Sequence, residues 1–340
     1  MNHRLDESQR RQGGRAIRTR TLGRAPALTE LGLGTSPFGN LYRESTDAEA
    51  SEAVSVGWAG GVRYFDTAPH YGLGLAERRL GAAVRDLPRE EFVVSTKVGR
   101  ALVPTPENVG QLDDDGFHVP AAFRREWDFS RDGILRSFEQ SLERLGLDRV
   151  DVLYLHDPDN HWEAASTTGI DTLVELRDQG VVSAIGAGMN QSAMLAEFVR
   201  QCDVDLVMLA GRYTLLDQSA LDDLLPLALE RRVGVVAAGV YNSGLLSKPV
   251  VSDDSHFEYQ AAPTELVERA RAIARICGEH GVTLPDAAVQ FPLRHPAVVS
   301  AVLGARNGGQ AEGGLDRAAA VIPDALWDDL EAQGYLRAHS

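Results

Sequence analysis

The chain has 340 residues, 44% of them hydrophobic, and a formal net charge of −15. That content supports a sizeable core, and the acidic balance argues against nucleic acid or an anionic membrane surface as partner. No apolar run approaches the ~18 residues of a membrane span, the N-terminus lacks a signal peptide's apolar core, and Cys202 and Cys277 stand far apart outside any motif, so a reduced, cytoplasmic protein is expected.

Residues 1–16 are polar and arginine-rich without periodicity, which predicts a disordered extension. Residues 17–340 are expected to form a single unit. The stretches Ile17–Gly23 and Leu28–Leu31 predict a small hairpin ahead of it. Short β-branched apolar runs then read as strands at Leu31–Thr35, Val62–Phe65, Phe92–Thr96, Val150–Leu155, Ala184–Ala187, Leu206–Leu209, Val233–Ala237 and Val299–Leu303. Stretches of helical period follow at Asp47–Ala59, Leu75–Val84, Arg131–Leu145, Ala164–Gln179, Ser192–Gln201, Ala220–Arg231, Thr264–Glu279 and Gln310–Ala320, and Asp324–Ala332 adds a further helix. Ser130 is a suitable N-cap, and Gly146 and Gly180 are suitable helix stops.

Alternation of this kind predicts an α/β fold, a closed (β/α)8 TIM barrel with a short N-terminal hairpin and an extra C-terminal helix. An open doubly wound sheet would carry a glycine-rich turn after its first strand. Here Gly32-Leu33-Gly34-Thr35-Ser36 lacks the third glycine and the helix start. Two long loops, Ala101–Asp128 and Leu245–Pro263, follow the third and seventh strands and so lie on the face where barrel enzymes keep their sites. Tyr42, Trp127 and His256 are the candidate substrate-contacting residues.

The chemistry-bearing residues sit at strand ends. Asp66 ends the second strand, Lys97 the third and His156 the fourth, while Tyr71 lies just past Asp66. Adjacent strands are about 5 Å apart, so the four side chains can converge. A free tyrosine titrates near 10 and is a poor base at neutral pH. A neighbouring ammonium favours the phenolate, so Lys97 is expected to lower the pKa of Tyr71, with Asp66 holding the lysine and His156 orienting a substrate oxygen. Any one of these residues alone would read as a turn or surface residue; four on successive strand ends do not. The run His156-Asp157-Pro158-Asp159-Asn160-His161 is dense in potential metal ligands. The other strand ends offer one Asp and one Lys, however, and an ammonium there disfavours a cation, so no metal is expected.

From about Arg18 to Leu336 the chain resembles the aldo-keto reductase superfamily. The resemblance rests on Leu31-Gly32-Leu33-Gly34-Thr35, Phe65-Asp66-Thr67-Ala68-Pro69-His70-Tyr71-Gly72, Ser95-Thr96-Lys97-Val98-Gly99, the stretch Ser141–Asp151, and His156. It implies a nicotinamide cofactor bound without a Rossmann motif, and a tetrad of Asp66, Tyr71, Lys97 and His156 with the tyrosine as general acid/base. It also implies Asn190 as the carboxamide contact, with Met189 in place of the usual serine. The family's glutamine after the sixth strand and aromatic after the seventh are not evident.

The cofactor pyrophosphate is expected near the seventh and eighth strands, at Asn242, Ser243, Gly244, Leu245, Gly304, Arg306 and Gln310. Many NADP-using relatives carry a Lys-Ser/Thr pair and a following Arg; only Arg306 is kept here, so the cofactor is NAD or NADP with NAD favoured. The segments His156–Asp159, Ala210–Leu216 and Tyr241–Gly244 resemble a branch that oxidises free aldoses such as L-fucose, or pyridoxal, at a cyclic hemiacetal to give the lactone. The expected partner is therefore a small molecule, and the chain a monomer or small homo-oligomer. A general NADPH-dependent aldehyde or ketone reductase and a non-catalytic NAD(P)H-binding subunit are the alternatives.

Overall fold

A computed structural model describes residues 17–253, 256–257 and 260–337. The predicted disordered extension over residues 1–16 lies outside them. Eight parallel strands close into a barrel: β1 (Leu31–Gly34), β2 (Tyr64–Asp66), β3 (Val93–Val98), β4 (Val152–His156), β5 (Ala184–Met189), β6 (Leu206–Ala210), β7 (Gly234–Ala238) and β8 (Val298–Gly304). Strand β8 pairs with β1, so the barrel has no open edge. The helices around it are α1 (Asp47–Ala59), α2 (Leu75–Val84), α3 (Arg131–Leu145), α4 (Ile170–Asp178), α5 (Ser192–Gln201), α6 (Leu224–Arg231), α7 (Thr264–Glu279), α8 (Leu284–Gln290), α9 (Gly308–Ala319) and α10 (Asp324–Ala332). No described helix is long and apolar enough to cross a membrane.

The strands read as continuous apolar runs because both of their faces are buried. Outward residues such as Leu33, Phe65, Val94, Leu153, Ile185 and Val207 pack beneath the helices. Inward residues, among them Tyr64, Val152, Tyr154, Leu206, Met208 and Val236, fill the barrel itself. A Cβ on Gly32 would come within 2.7 Å of the Tyr64 ring, so glycine there makes room for the large inward side chain. Antiparallel pairing of Thr19–Arg20 with Leu28–Thr29 forms the predicted hairpin, whose Ala25 and Leu28 join the inner core.

Local capping explains the helix ends. Thr46 and Glu49 form a capping box at α1. The Ser130 hydroxyl accepts from Gly133 N–H at 3.1 Å at the start of α3, and Gly146 closes that helix at φ 62°. Three predicted helices begin differently from expectation, and α9 does so by starting at Gly308 behind the Asn307 cap instead of at Gln310. Before α4 the chain passes through Trp162–Ala164 and a π-helical turn, Ala165–Gly169. Before α6 a short 3-10 turn, Ser219–Leu221, is separate, and Asp223 caps Leu224, which leaves Pro226 in the first helical turn where no donor is needed.

Three elements were not anticipated, one of them a short antiparallel pairing of His256–Phe257 with Gln260–Ala261 inside the expected loop Leu245–Pro263. Helix α8 is started by a capping box between Thr283 and Asp286, with Pro285 in its first turn. The stretch Ala101–Asp128, expected to be a loop, instead carries an antiparallel hairpin in which Arg100–Pro104 pairs with Phe123–Trp127. A two-stranded ribbon lying on a barrel rim does not need strict apolar alternation, and Phe-Arg-Arg-Glu-Trp has none.

Candidate active site

Side chains alternate along each strand, so the inward residues at the carboxyl ends form a floor. Asp66, Lys97 and His156 occupy it on β2, β3 and β4. On β5, β6, β7, β8 and β1 the corresponding residues are Gly188, Ala210, Ala238, Gly304 and Gly34. All eight line one cavity of about 740 Å3, together with Tyr71 and His70. The floor is thus ionisable and hydrogen-bonding on one side and smooth on the other.

Lys97 is the hub of the polar side. Its ammonium donates to Asp66 Oδ2 at 2.8 Å and Oδ1 at 3.0 Å, to the Thr67 carbonyl at 2.9 Å and to the Tyr71 hydroxyl at 3.3 Å. Lys97 and Asp66 are almost wholly buried. Beneath them runs a file of hydroxyls. Ser95 Oγ donates to Asp66 Oδ1 at 2.7 Å, and Tyr64 OH lies 3.0 Å from Ser95 and 3.5 Å from Tyr154 OH. Because Ser95 gives its proton to the carboxylate, Tyr64 is the donor to Ser95. The dipoles therefore point up towards Asp66.

Tyr71 reaches the lysine from a tight turn. Its N–H donates to the Ala68 carbonyl at 3.1 Å, and Gly74 N–H to Pro69 at 2.8 Å. Gly72 in that turn has φ 60°, and a Cβ there would lie 2.3 Å from the Gly39 carbonyl oxygen, so the turn is pressed against the Ser36–Gly39 segment.

Electrostatics modify one expectation. Lys97 pulls the Tyr71 phenol down as anticipated, but burial dominates and pushes it up to about 12. The sequence gives the ammonium's presence and not the depth of the phenol. Lys97 stays charged: Asp66 and Tyr71 raise it against the opposing effect of burial. His156 is held well below its ordinary value, first by burial and then by Lys97 and neighbouring cations, so it is neutral. Its ring stands edge-on to Tyr71 with centroids 6.0 Å apart, and its buried Nδ1 has no hydrogen-bond partner among the described residues.

Above the tetrad lies a second set of charges, largely invisible to sequence reasoning. Arg100 donates to Asp157 Oδ2 at 3.2 Å and Asp115 Oδ2 at 3.3 Å, joining the rim hairpin to the loop after β4. Burial raises the Asp157 carboxyl to about 6, with Arg100 opposing. Arg125 binds Asp113 through both of its terminal nitrogens and reaches His70 Nδ1 at 2.5 Å. His70 stands inside the motif that singled out Asp66 and Tyr71. Arg125 gave no signal, because the hairpin carrying it was not recognised.

The other candidates are scattered. Tyr42 lines the cavity, with φ 62° and its N–H tied to Gly116 at 2.9 Å. Trp127 lies outside the lining; its indole donates to the Asp157 carbonyl at 3.2 Å and its ring stacks on His161. His256 falls in a short strand, His256–Phe257, and its side chain is outside the described structure. Asn190 and Gly304 line the cavity.

Asn242, Ser243 and Gly244 form a left-handed turn with φ of 45°, 56° and 97°. Asn242 Nδ2 donates to the Gly211 carbonyl at 3.1 Å, while its buried Oδ1 has no partner among the described residues. Leu245 is buried. Arg306 is buried too, and its guanidinium donates to the carbonyls of Pro37, Leu41 and Arg43 at 3.3, 2.6 and 2.9 Å. Gln310 Oε1 accepts from Arg306 N–H at 2.8 Å. The smooth floor, where added side chains would project into the cavity, fits a flat ring, while the buried Asn242 Oδ1 is an unused acceptor outside the cavity lining. Among the described residues no group of three or more His, Cys, Asp or Glu is arranged to hold a metal ion.

A model of the Aldo/keto reductase family matches residues 30–333. The chain is 48% identical over 307 residues to a D-threo-aldose 1-dehydrogenase from Pseudomonas sp, spanning 89% of this chain and 93% of that protein. It is 39% identical to a pyridoxal 4-dehydrogenase from Microbacterium luteolum, spanning 95% and 99%. Among solved structures, a glycerol dehydrogenase from Gluconobacter oxydans shares the fold at a TM-score of 0.75 and 22% identity, over 96% of this chain and 98% of that one. The holo form of an aldo-keto reductase from Bacillus halodurans does so at 0.72 and 22% identity, over 93% and 96%.

Proposed function

Because this chain belongs to the aldo/keto reductase family, we propose that it oxidises the anomeric hydroxyl of a free aldose, of the L-fucose or D-threo-aldose type, to the lactone. The observation that carries this reading is the buried ammonium of Lys97, held between the Asp66 carboxylate and the Tyr71 phenol on the cavity floor. The 48% identity to a D-threo-aldose 1-dehydrogenase supports the substrate class.

Conversion of a hemiacetal to a lactone removes a hydride from C1 and a proton from its hydroxyl. A bound NAD(P)+ would supply the hydride acceptor. Tyr71 takes the proton, and Lys97 stabilises the phenolate state through which it does so. Asp66 keeps Lys97 charged and in place. His156, neutral at working pH, shares the substrate oxygen by a hydrogen bond without competing for its proton. Gly34, Gly188, Ala210, Ala238 and Gly304, with Asn190, would hold the nicotinamide end, and the Asn242–Gly244 turn the phosphates.

NAD is proposed over NADP, because Arg306 is already engaged with three backbone carbonyls and is not free for a 2′-phosphate. The same reading makes residues 17–340 one catalytic unit and places the enzyme in the cytoplasm.

The test is reduction of NAD+ and NADP+ with L-fucose, D-arabinose, L-galactose, L-xylose and pyridoxal. Oxidation of at least one aldose with NAD+, lost in Tyr71→Phe, is the expected result. Pyridoxal as sole substrate would move the assignment to a pyridoxal dehydrogenase. Reduction of simple aldehydes is a second reading: a phenol pushed up to about 12 is protonated at neutral pH, the form a carbonyl reductase needs. Initial rates of sugar oxidation against aldehyde reduction separate the two.

A further inference from the structure

We propose that His70 is a substrate-binding hydrogen-bond donor, fixed as the Nε2–H tautomer by Asp113 and Arg125 of the rim, and that it selects substrates bearing an acceptor oxygen beside the reacting carbon. The inference deepens the aldose reading and rests on it for the identity of the ligand, a hydroxyl of a polyhydroxylated substrate.

A guanidinium has donors and no acceptor, and it stays protonated at any working pH. Arg125 Nε lies 2.5 Å from His70 Nδ1, so Nδ1 must present its lone pair and cannot carry a hydrogen. The remaining ring nitrogen, Nε2, therefore carries the hydrogen of the neutral ring. Arg125 cannot turn aside easily. Both of its terminal nitrogens bind Asp113, Nη2 also donates to the His70 carbonyl at 3.1 Å, and the Arg125 and Asp113 side chains are only 6% and 2% exposed. Asp115 Oδ2 stands 3.1 Å from Arg125 Nε and 4.0 Å from His70 Nδ1, which places it on the arginine and not on the imidazole.

Burial and the cations Arg100, Arg125 and Lys97 all disfavour a charged ring. The His70 ring lines the reaction cavity, with its centroid 5.5 Å from that of His156 and 5.8 Å from that of Tyr71. A donor so close to the proton-handling groups meets whatever flanks the reacting carbon. In a cyclic aldose that is a hydroxyl, whose oxygen accepts. A substrate lacking that oxygen leaves the donor unsatisfied.

The experiment has two arms on the full chain. Imidazole 15N NMR of the wild type is expected to show His70 neutral with Nε2 protonated from pH 5 to 8, and Arg125→Met is expected to release it to a mixed, titrating state. Kinetically, His70→Leu should lose roughly tenfold in kcat/KM on the preferred aldose, mostly through KM. His70→Gln, which keeps a donor near the Nε2 position, should recover most of that loss. Wild type and His70→Leu should converge on the aldose lacking the hydroxyl next to C1. An Nδ1–H or charged ring in the wild type overturns the proposal, as does His70→Leu matching wild type on hydroxylated substrates. If no aldose is oxidised, the functional reading fails, while the tautomer measurement still decides this one.

Discussion

Lys97 Nζ sits 2.8 Å and 3.0 Å from the two oxygens of Asp66, and this pairing holds a full positive charge beside the Tyr71 phenol at the mouth of the barrel. Breaking it from either end leaves a buried charge unpaired. Asp66→Asn should cost about 3–5 kcal/mol of stability, seen as a lower midpoint in urea. Lys97→Met should lose at least about a hundredfold in kcat, while NADH binding, followed by fluorescence, changes little. A Lys97→Met protein with near-normal turnover would refute the role given to the ammonium.

The phenol sets the pH dependence. A base must be ionised to accept a proton, and Tyr71 is pushed up to about 12. Aldose oxidation should therefore climb with pH through the alkaline range, whereas aldehyde reduction should stay level through neutrality and fall only as the phenol ionises. Tyr71→Phe should lower both by about a thousandfold. His70 and His156 are both held neutral by burial and neighbouring cations, so an inflection between pH 6 and 7 that disappears in His156→Gln would contradict this assignment.

Asp157 gives an acid-side signal. Its carboxyl is raised from 3.8 to about 6, chiefly by burial. A raised acid binds its proton more tightly in the folded state, so its stabilising contribution is complete below about 3.8 and is lost as pH rises through about 6. Above that value the ionised group pairs with Arg100 and ties the hairpin to the loop after β4. Asp157→Asn should flatten the stability curve between pH 4 and 7 and remove an inflection near pH 6 in KM. Thermal melts and initial rates over that range provide the check.

Arg306 is expected to act on the fold and not on cofactor choice. Its guanidinium binds carbonyls of Pro37, Leu41 and Arg43, and hydrogen bonds to charged groups contribute a net of about 1.5–3 kcal/mol each. Arg306→Ala should lower Tm and weaken NAD+ and NADP+ together, changing the ratio of their kcat/KM values by less than about threefold. A selective loss with NADP+ would show that the side chain leaves its carbonyls to meet a phosphate.

Asp66 and His156 were legible because each closes an apolar strand and alternation sends it inward, while Lys97 follows Ser95 and Thr96 near the end of its strand and Tyr71 lies in the turn after Asp66. Seven helices began or ended where caps and periodicity placed them. The rim was not legible for a different reason. Arg100 and Trp127 pair across 27 positions of chain, and nothing local in Phe123–Trp127 announces a strand. Arg306 shows a second limit, since a long flexible side chain can be assigned a position from sequence but not a direction. The phenol's pKa shows a third: the sign of a charge effect is readable from neighbours, but the opposing burial is a property of the folded interior.

The file of hydroxyls from Tyr154 through Tyr64 and Ser95 to Asp66 bears on any attempt to transplant this site. Three strand residues and the Tyr71 turn would carry over the visible chemistry, but the carboxylate among them leans on donors one storey down, where barrel interiors ordinarily hold interchangeable hydrocarbon. Gly32, which makes way for Tyr64, belongs to the same construction. The portable unit is therefore two tiers deep, and a recipient barrel would have to yield part of its hydrophobic filling to receive it.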